Sequence, residues 1–179
     1  VIVIREALPD EYERIGELTI AAYRALPVDH LWGGYDADIL DVATRAKVAH
    51  VLVAVEGDDV LGAVTYVDDT SSPWSEWTQP GEAQFRLLAT DPAARGKGAG
   101  EALVRTCLAH AAERPVVIHT TRWMEPAIRL YTRLGFERRP DRDVPPAVWN
   151  SPPVTGLPPE WIDENFLGYV RAVAPPFVQ

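Results

Sequence analysis

Residues 82–112, EAQFRLLATDPAARGKGAGEALVRTCLAHAA, place a strand, a glycine-rich turn and an amphipathic helix in direct succession. This stretch constrains the fold more than any other. Gln84 to Thr90 reads as an apolar strand, and Asp91-Pro92 ends it because proline lacks a ladder donor and restrains the residue before it. From Ala99 the apolar residues Leu103, Val104, Cys107, Leu108 and Ala111 recur at helical spacing on one face. Gly96, Gly98 and Gly100 therefore sit at a helix N-terminus. Backbone N–H groups there lack intrahelical partners and the dipole is positive, with Arg95 and Lys97 adding charge. Such a turn suits a pyrophosphate.

Spacing separates the anion-binding motifs that use this geometry. A P-loop needs a glycine five residues before its Gly-Lys pair, but Asp91 stands there, and Gly98 rather than Ser or Thr follows Lys97. A dinucleotide fingerprint needs glycine at the position of Glu101. What remains is Arg-x-x-Gly-x-Gly, carried by Arg95, Gly98 and Gly100. The motif resembles the acetyl-CoA signature of the GNAT N-acetyltransferases; a glycine-rich connection that binds nothing is the alternative reading of these three residues alone.

A second pattern lies downstream. Ile118 and Thr120, then Ala127, Leu130, Tyr131, Gly135 and Phe136, stand at the spacing of a second GNAT signature, Leu/Ile-x-Thr followed by Ala-x-x-Leu-Tyr-x-x-x-Gly-Phe. Met124 departs from it, occupying a position where the family often has asparagine. The resemblance covers roughly residues 1–140.

The rest of the chain agrees with that frame. A β-branched opening run (1–4) precedes a helical stripe through Ile15, Leu18, Ala22 and Leu26, and Ile39, Leu40, Ala43 and Ala46 suggest a short helix. Residues 51–55 and 60–67 read as an antiparallel hairpin about Gly57. A strand over 115–121, a helix over 126–134 stopped by Gly135, and a strand from Phe136 follow. Proline-rich residues 141–160 read as a surface wrap, and 166–173 as a last strand. The order predicts one α/β domain over 1–179, a mixed sheet of about seven strands with helices on both faces, as in the GNAT fold. Its core would lie in 1–140, with the proline-rich loop and last strand in 141–179.

Composition narrows the partners. With 47% hydrophobic and 24% charged residues the 179-residue chain holds a sizeable core. A net charge of −9 and a pI near 4.9 argue against nucleic acid and suit a cationic substrate. Acids at Asp29, Asp36, Asp68, Asp69 and Glu76 fall in loops that would form an acceptor pocket. The single cysteine, Cys107, excludes an internal disulfide and lies on an apolar helix face. His30, His50 and His110 lack metal-ligand spacing, so no metal is expected. No apolar run of about eighteen residues and no signal-peptide pattern is visible, which predicts a cytoplasmic protein without a membrane partner, monomeric or homodimeric.

The resemblance also implies roles. It makes the protein an acetyl-CoA-dependent acetyltransferase that moves the acetyl group to a primary amine by direct attack in a ternary complex. A small-molecule amine is the favoured acceptor, with a peptide or protein amine, or a non-catalytic acyl-CoA sensor, as alternatives. Glu82, thirteen residues before Arg95, is similar in position to the general-base glutamate of the histone-acetyltransferase branch, and Tyr131 to the tyrosine that protonates the departing thiolate. Backbone groups of Leu87, Leu88 and Ala89 would hold the pantetheine arm, with the Leu88 amide on the thioester oxygen. Arg95, Gly96, Lys97, Gly98, Ala99 and Gly100 would hold the pyrophosphate. His119 is a reserve base or substrate contact, with a structural role favoured. Arg86, on one strand face with Glu82 and Gln84, would pair with a buried acid or hold a substrate carboxylate, the ion pair being favoured.

Overall fold

The computed structural model describes residues 1–26, 35–144 and 167–172. The alternating apolar runs become a seven-stranded sheet in the order β1-β2-β3-β4-β5-β7-β6: β1 (Val3–Glu6), β2 (His50–Glu56), β3 (Asp59–Val67), β4 (Ala83–Thr90), β5 (Val116–Thr120), β6 (Glu137–Arg138) and β7 (Leu167–Arg171). The four N-terminal strands form an antiparallel meander, β4 and β5 are parallel, and β7 inserts antiparallel between β5 and β6. The strand expected from Phe136 is reduced to two residues at the sheet edge.

Helices cover both faces, as the apolar stripes require. One face carries α4 (Ala99–Ala111) and α5 (Glu125–Arg133) over a core of Leu52, Tyr66, Phe85, Leu103, Val104, Cys107, Ile118 and Phe136. The other face carries α1 (Tyr12–Arg24), α2 (Tyr35–Leu40) and α3 (Val42–Arg45), with Ile15, Leu18, Val42, Val51, Val53 and Ala63 buried beneath. The single short helix expected near residues 39–46 is thus two, separated at Asp41, whose carboxylate caps the second by accepting from the Thr44 N–H at 3.1 Å.

Two features of β4 and β5 create the site. The parallel pair is hydrogen-bonded in register only at Ala83↔Val116 and Gln84↔Val117, after which the strands diverge. On the other edge of β4 the register with β3 jumps from Thr65↔Arg86 to Ala63↔Ala89, so β4 carries an extra residue. This bulge puts Leu87 at φ +52°, a left-handed backbone that costs a leucine about 1–2 kcal/mol and that marks re-aimed backbone.

The proline-rich stretch departs from expectation where it is described. Residues 141–144 are tied to the sheet from an exposed start at Asp141: Asp143 accepts from the Gly168 N–H at 3.0 Å, and part-buried Arg142 pairs with Glu82. The remaining residues assigned to that wrap, 145–160, lie outside the described residues, as does most of the aromatic loop before Tyr35. Among the described residues no helix is long and apolar enough to cross a membrane.

Candidate active site

A cavity of about 1130 Å³ fills the wedge between β4 and β5 and is lined from Gln84 to Thr90 on one strand and from Ile118 to Thr120 on the other. At one end lies the glycine turn. Gly98 caps α4 at φ +91° with Gly96 at +84°, angles that residues with a Cβ rarely adopt, and Arg95, Gly96, Gly98, Ala99 and Gly100 all line the cavity. The first-turn N–H groups of α4 and the positive end of its dipole thus meet the cavity. Arg95 is exposed and makes no ion pair among the described residues. Lys97 is different: its Nζ reaches Glu56 at 2.9 Å, and it is not part of the cavity wall.

Leu87, Leu88 and Ala89 line the middle of the wedge, where β4 has lost β5 as a partner. Unpaired strand backbone of this kind accepts an extended ligand as an added strand. A 3-10 turn (Pro92–Ala94), held by the Asp91 carboxylate accepting from the Ala93 N–H at 2.8 Å, returns the chain from β4 to the glycines.

Tyr131 stands on the opposite wall. It is buried, its ring lies 5.7 Å from those of Phe85 and Phe136, and its phenol makes no hydrogen bond among the described residues. Burial raises the phenol's pKa well above its ordinary value, so it remains a proton donor throughout the neutral range. The local chain holds it there. At the end of α5 the Gly135 N–H bonds the Thr132 carbonyl at 3.1 Å and the Phe136 N–H bonds the Tyr131 carbonyl at 3.0 Å, a Schellman closure that needs the φ of +83° at Gly135. Met124, where the second motif departs from its usual asparagine, is the N-cap of α5; its sulfur accepts from the Thr120 hydroxyl at 3.4 Å.

Glu82 is in a different environment from the one its assignment as base needs. Arg142 holds both of its oxygens, at 2.7 and 2.8 Å, and the Gln79 N–H adds a third bond at 2.7 Å. Burial pushes the carboxyl's pKa up, but the Arg142 bonds, the Gln79 bond and the guanidinium charge outweigh it and hold the group below the usual carboxylate value. Glu82 does not line the cavity. A carboxylate held below its ordinary pKa, with both oxygens bonded to Arg142, is placed as an ion-pair partner rather than as a base facing the cavity.

His119 does line the cavity. Its Nε2 lies 2.9 Å from the Arg142 carbonyl, which only accepts, so Nε2 carries the hydrogen and Nδ1 the lone pair. That Nδ1 is buried and has no hydrogen-bond partner among the described residues. Burial lowers the imidazole's pKa, leaving it neutral near pH 7, and its ring meets Trp77 edge-on at 5.1 Å.

The far wall lies on the α1 and α2 face. Tyr23, Tyr35, Glu76, Trp77 and Arg86 line it. Arg86 makes the expected ion pair, to Glu76 at 3.0 Å, and lies 5.1 Å from the center of the Trp74 ring. The acids expected to draw a cationic substrate are otherwise occupied: Asp36 pairs with Arg24, Asp68 with Arg114, and Asp69 caps Ser71; Asp29 is outside the described residues. Among the described residues no group of three His, Cys, Asp or Glu side chains is placed to hold a metal.

Arg142 and the Leu87 bulge were missed in the sequence, where neither carries a local signal; Arg86 was legible there as a charge inside an apolar strand.

A family model described as the acetyltransferase (GNAT) family matches residues 10–136, spanning both glycine-turn and Tyr131 motifs. The chain belongs to the GNAT acetyltransferase family. No match was found among curated proteins. Among solved structures, a crystal structure of histone acetyltransferase HPA2 and related acetyltransferase from Corynebacterium glutamicum is 20% identical, with TM-score 0.67 and 99% of each chain covered. Salmonella typhimurium yncA, solved with its cofactor acetyl-CoA, is 18% identical with TM-score 0.64, covering 99% of this chain and 96% of its own. A GNAT family acetyltransferase from Brucella melitensis in complex with acetyl-CoA is 26% identical with TM-score 0.55, covering 76% of this chain and 83% of its own. Acetyl-CoA is the co-substrate of GNAT enzymes. The residues present fit it: a positive-φ glycine cradle, unpaired β4 backbone and a buried phenol follow one another along a single cavity.

Proposed function

We propose that this GNAT acetyltransferase moves the acetyl group of acetyl-CoA onto the primary amine of a small molecule, by direct attack while both substrates are bound. Bound acetyl-CoA supplies the activated thioester. The reading is carried by the continuity of the cavity, which links the Gly96 to Gly100 cradle with Tyr131 and then with the walls at His119 and Arg86.

Each role follows from local chemistry. First-turn amides of α4 bind the pyrophosphate, and Arg95 adds charge. Backbone groups of Leu87, Leu88 and Ala89 align the pantetheine arm, with the Leu88 amide donating to the carbonyl oxygen where negative charge develops. Tyr131, kept protonated by burial, gives its proton to the departing thiolate. We assign the base role to neutral His119, whose Nδ1 lone pair has no competing partner and comes within reach of the amine once the side chains covering it shift, and give Glu82 the positioning of Arg142. Cys107 takes no part: it is fully buried within α4, and burial raises its thiol's pKa.

Calorimetry with acetyl-CoA, followed by a thiol-release screen across primary amines, tests the reading. Binding with amine-dependent release of CoA is the expected result. Absence of binding at millimolar acetyl-CoA would overturn the cofactor assignment, and binding without release under any amine would overturn the transferase assignment.

A further inference from the structure

Two arginines meet behind the wall on the α1 and α2 face, and one of them, Arg86, lines the cavity. Arg86 and Arg45 both lie against the ring of Trp74, at 5.1 and 5.2 Å from its center. Arg45 is 1% exposed, donates to the Asp38 and Ile39 carbonyls, and pairs with no carboxylate among the described residues. Glu76, the partner of Arg86, is thus the single carboxylate that either arginine holds within the described residues. Arg86, part-buried at 15% side-chain exposure, and buried Arg45 share one ion-paired carboxylate, with Asp41 acting on Arg45 only through space. Arg86 is the one of the two that faces the cavity, where partial desolvation strengthens its attraction for an anion.

Arg86 is built to present that charge. Its Nη2 donates to the Tyr35 hydroxyl at 2.9 Å and its Nη1 to the Trp74 carbonyl at 3.2 Å, which fix the guanidinium plane from two sides. These bonds and the Glu76 pair leave Nε and one Nη2 hydrogen without a protein acceptor among the described residues, and the side chain faces the cavity. Glu76 is 40% exposed and Arg86 15%, so the acid is the movable member of the pair and the base the fixed one. Arg86 also immediately precedes the Leu87 bulge, so its wall borders the point where the amine meets the thioester.

We propose that the acceptor amine carries a carboxylate, as an amino acid does, and that Arg86 receives that carboxylate in place of Glu76. Tyr23, Tyr35 and Trp77 then flank the remainder of the acceptor with aromatic surface. The proposal rests on the function proposed above for the substrate class, but it is tested by binding alone.

The probes are matched pairs, L-phenylalanine against phenethylamine and L-leucine against 3-methylbutylamine, titrated by calorimetry into the full chain saturated with CoA. The carboxylate member of each pair is expected to bind at least about tenfold tighter, the size of a charge-assisted bond. Arg86→Gln should abolish the difference with CoA binding retained. Glu76→Gln, at a half-exposed position that the fold tolerates, should raise the preference for the amino acid over its plain amine by about threefold or more. Equal or tighter binding of the plain amines, no binding of either member, or a preference for the amino acid that falls in Glu76→Gln each overturns the proposal. The wild-type comparison decides it even where Arg86→Gln does not fold. A protein that acetylates plain amines without preferring their carboxylates keeps its proposed function and loses this inference.

Discussion

Arg142 ties Glu82 to His119: its guanidinium holds both carboxylate oxygens of Glu82 at 2.7 and 2.8 Å, and its backbone carbonyl lies 2.9 Å from His119 Nε2. A residue before β4 thereby acts on a cavity-lining imidazole it does not touch. The ion pair is almost dry, at 11% and 9% side-chain exposure.

Breaking that pair leaves a buried charge uncompensated, which costs about 3–5 kcal/mol. Glu82→Gln should therefore lower the melting temperature by about 6–20 °C, at about 2–4 °C per kcal/mol for a domain of this size. The pH dependence has a definite sign. Because the folded pKa of Glu82 lies below its unfolded value, its stabilisation is full above the ordinary carboxylate range and is lost as pH falls through the folded value. Thermal melts at successive pH values should show wild type and Glu82→Gln converging in acid. A constant gap between them down to pH 2 would argue against the assignment.

Tyr131→Phe removes the hydroxyl proposed to protonate the thiolate and keeps the ring that packs on Phe85 and Phe136. A loss of about 10²-fold or more in kcat is expected, the usual range for general acid catalysis, with the acetyl-CoA dissociation constant unchanged. Since burial raises the phenol, wild-type activity should show no alkaline limb from this group up to pH 10. Steady-state kinetics against pH, beside calorimetry, checks both parts; equal kcat in the two proteins would remove Tyr131 from the reaction.

His119→Asn should abolish the acid limb of kcat/KM. Protonation of a histidine whose pKa burial has lowered sets that limb below pH 6.5 in the wild type. Arg142→Lys, which loses the bidentate grip on Glu82, should move the limb rather than erase it. Identical pH profiles in wild type and His119→Asn would return the base role to solvent.

Gly98→Ala places a Cβ at φ +91° in the cradle, whereas Lys97→Ala removes an ammonium that faces Glu56 on the surface. The glycine change should weaken acetyl-CoA binding by about tenfold or more and the lysine change by less than about threefold. Titration calorimetry ranks them, and the reverse order would mean that charge rather than backbone geometry holds the pyrophosphate.

Much of the molecule could be read from local pattern. The apolar stripe through Leu103, Val104 and Cys107, the hairpin about Gly57 and the glycine stop after α5 all appear where spacing predicts them, because each depends on periodicity or on a backbone angle set within a few residues. The cradle glycines belong to the same class, since positive φ is a property of the residue that adopts it.

Long-range pairing decided the rest. Nothing in the run Leu87-Leu88-Ala89 announces a bulge, because the extra residue exists only in register with β3. Nor does any local signal say that β7 enters between β5 and β6, or that β4 and β5 part after two paired positions. The carboxylate of Glu82 was legible as a residue but not as a partner: its chemistry is set by Arg142, sixty residues away. Sequence thus determined the elements and the glycine turn at the head of α4, whose physics is local. Tertiary structure alone decided the wedge, the far wall at Arg86 and the protonation of the groups around it, because burial and charge pairing depend on which distant residues meet.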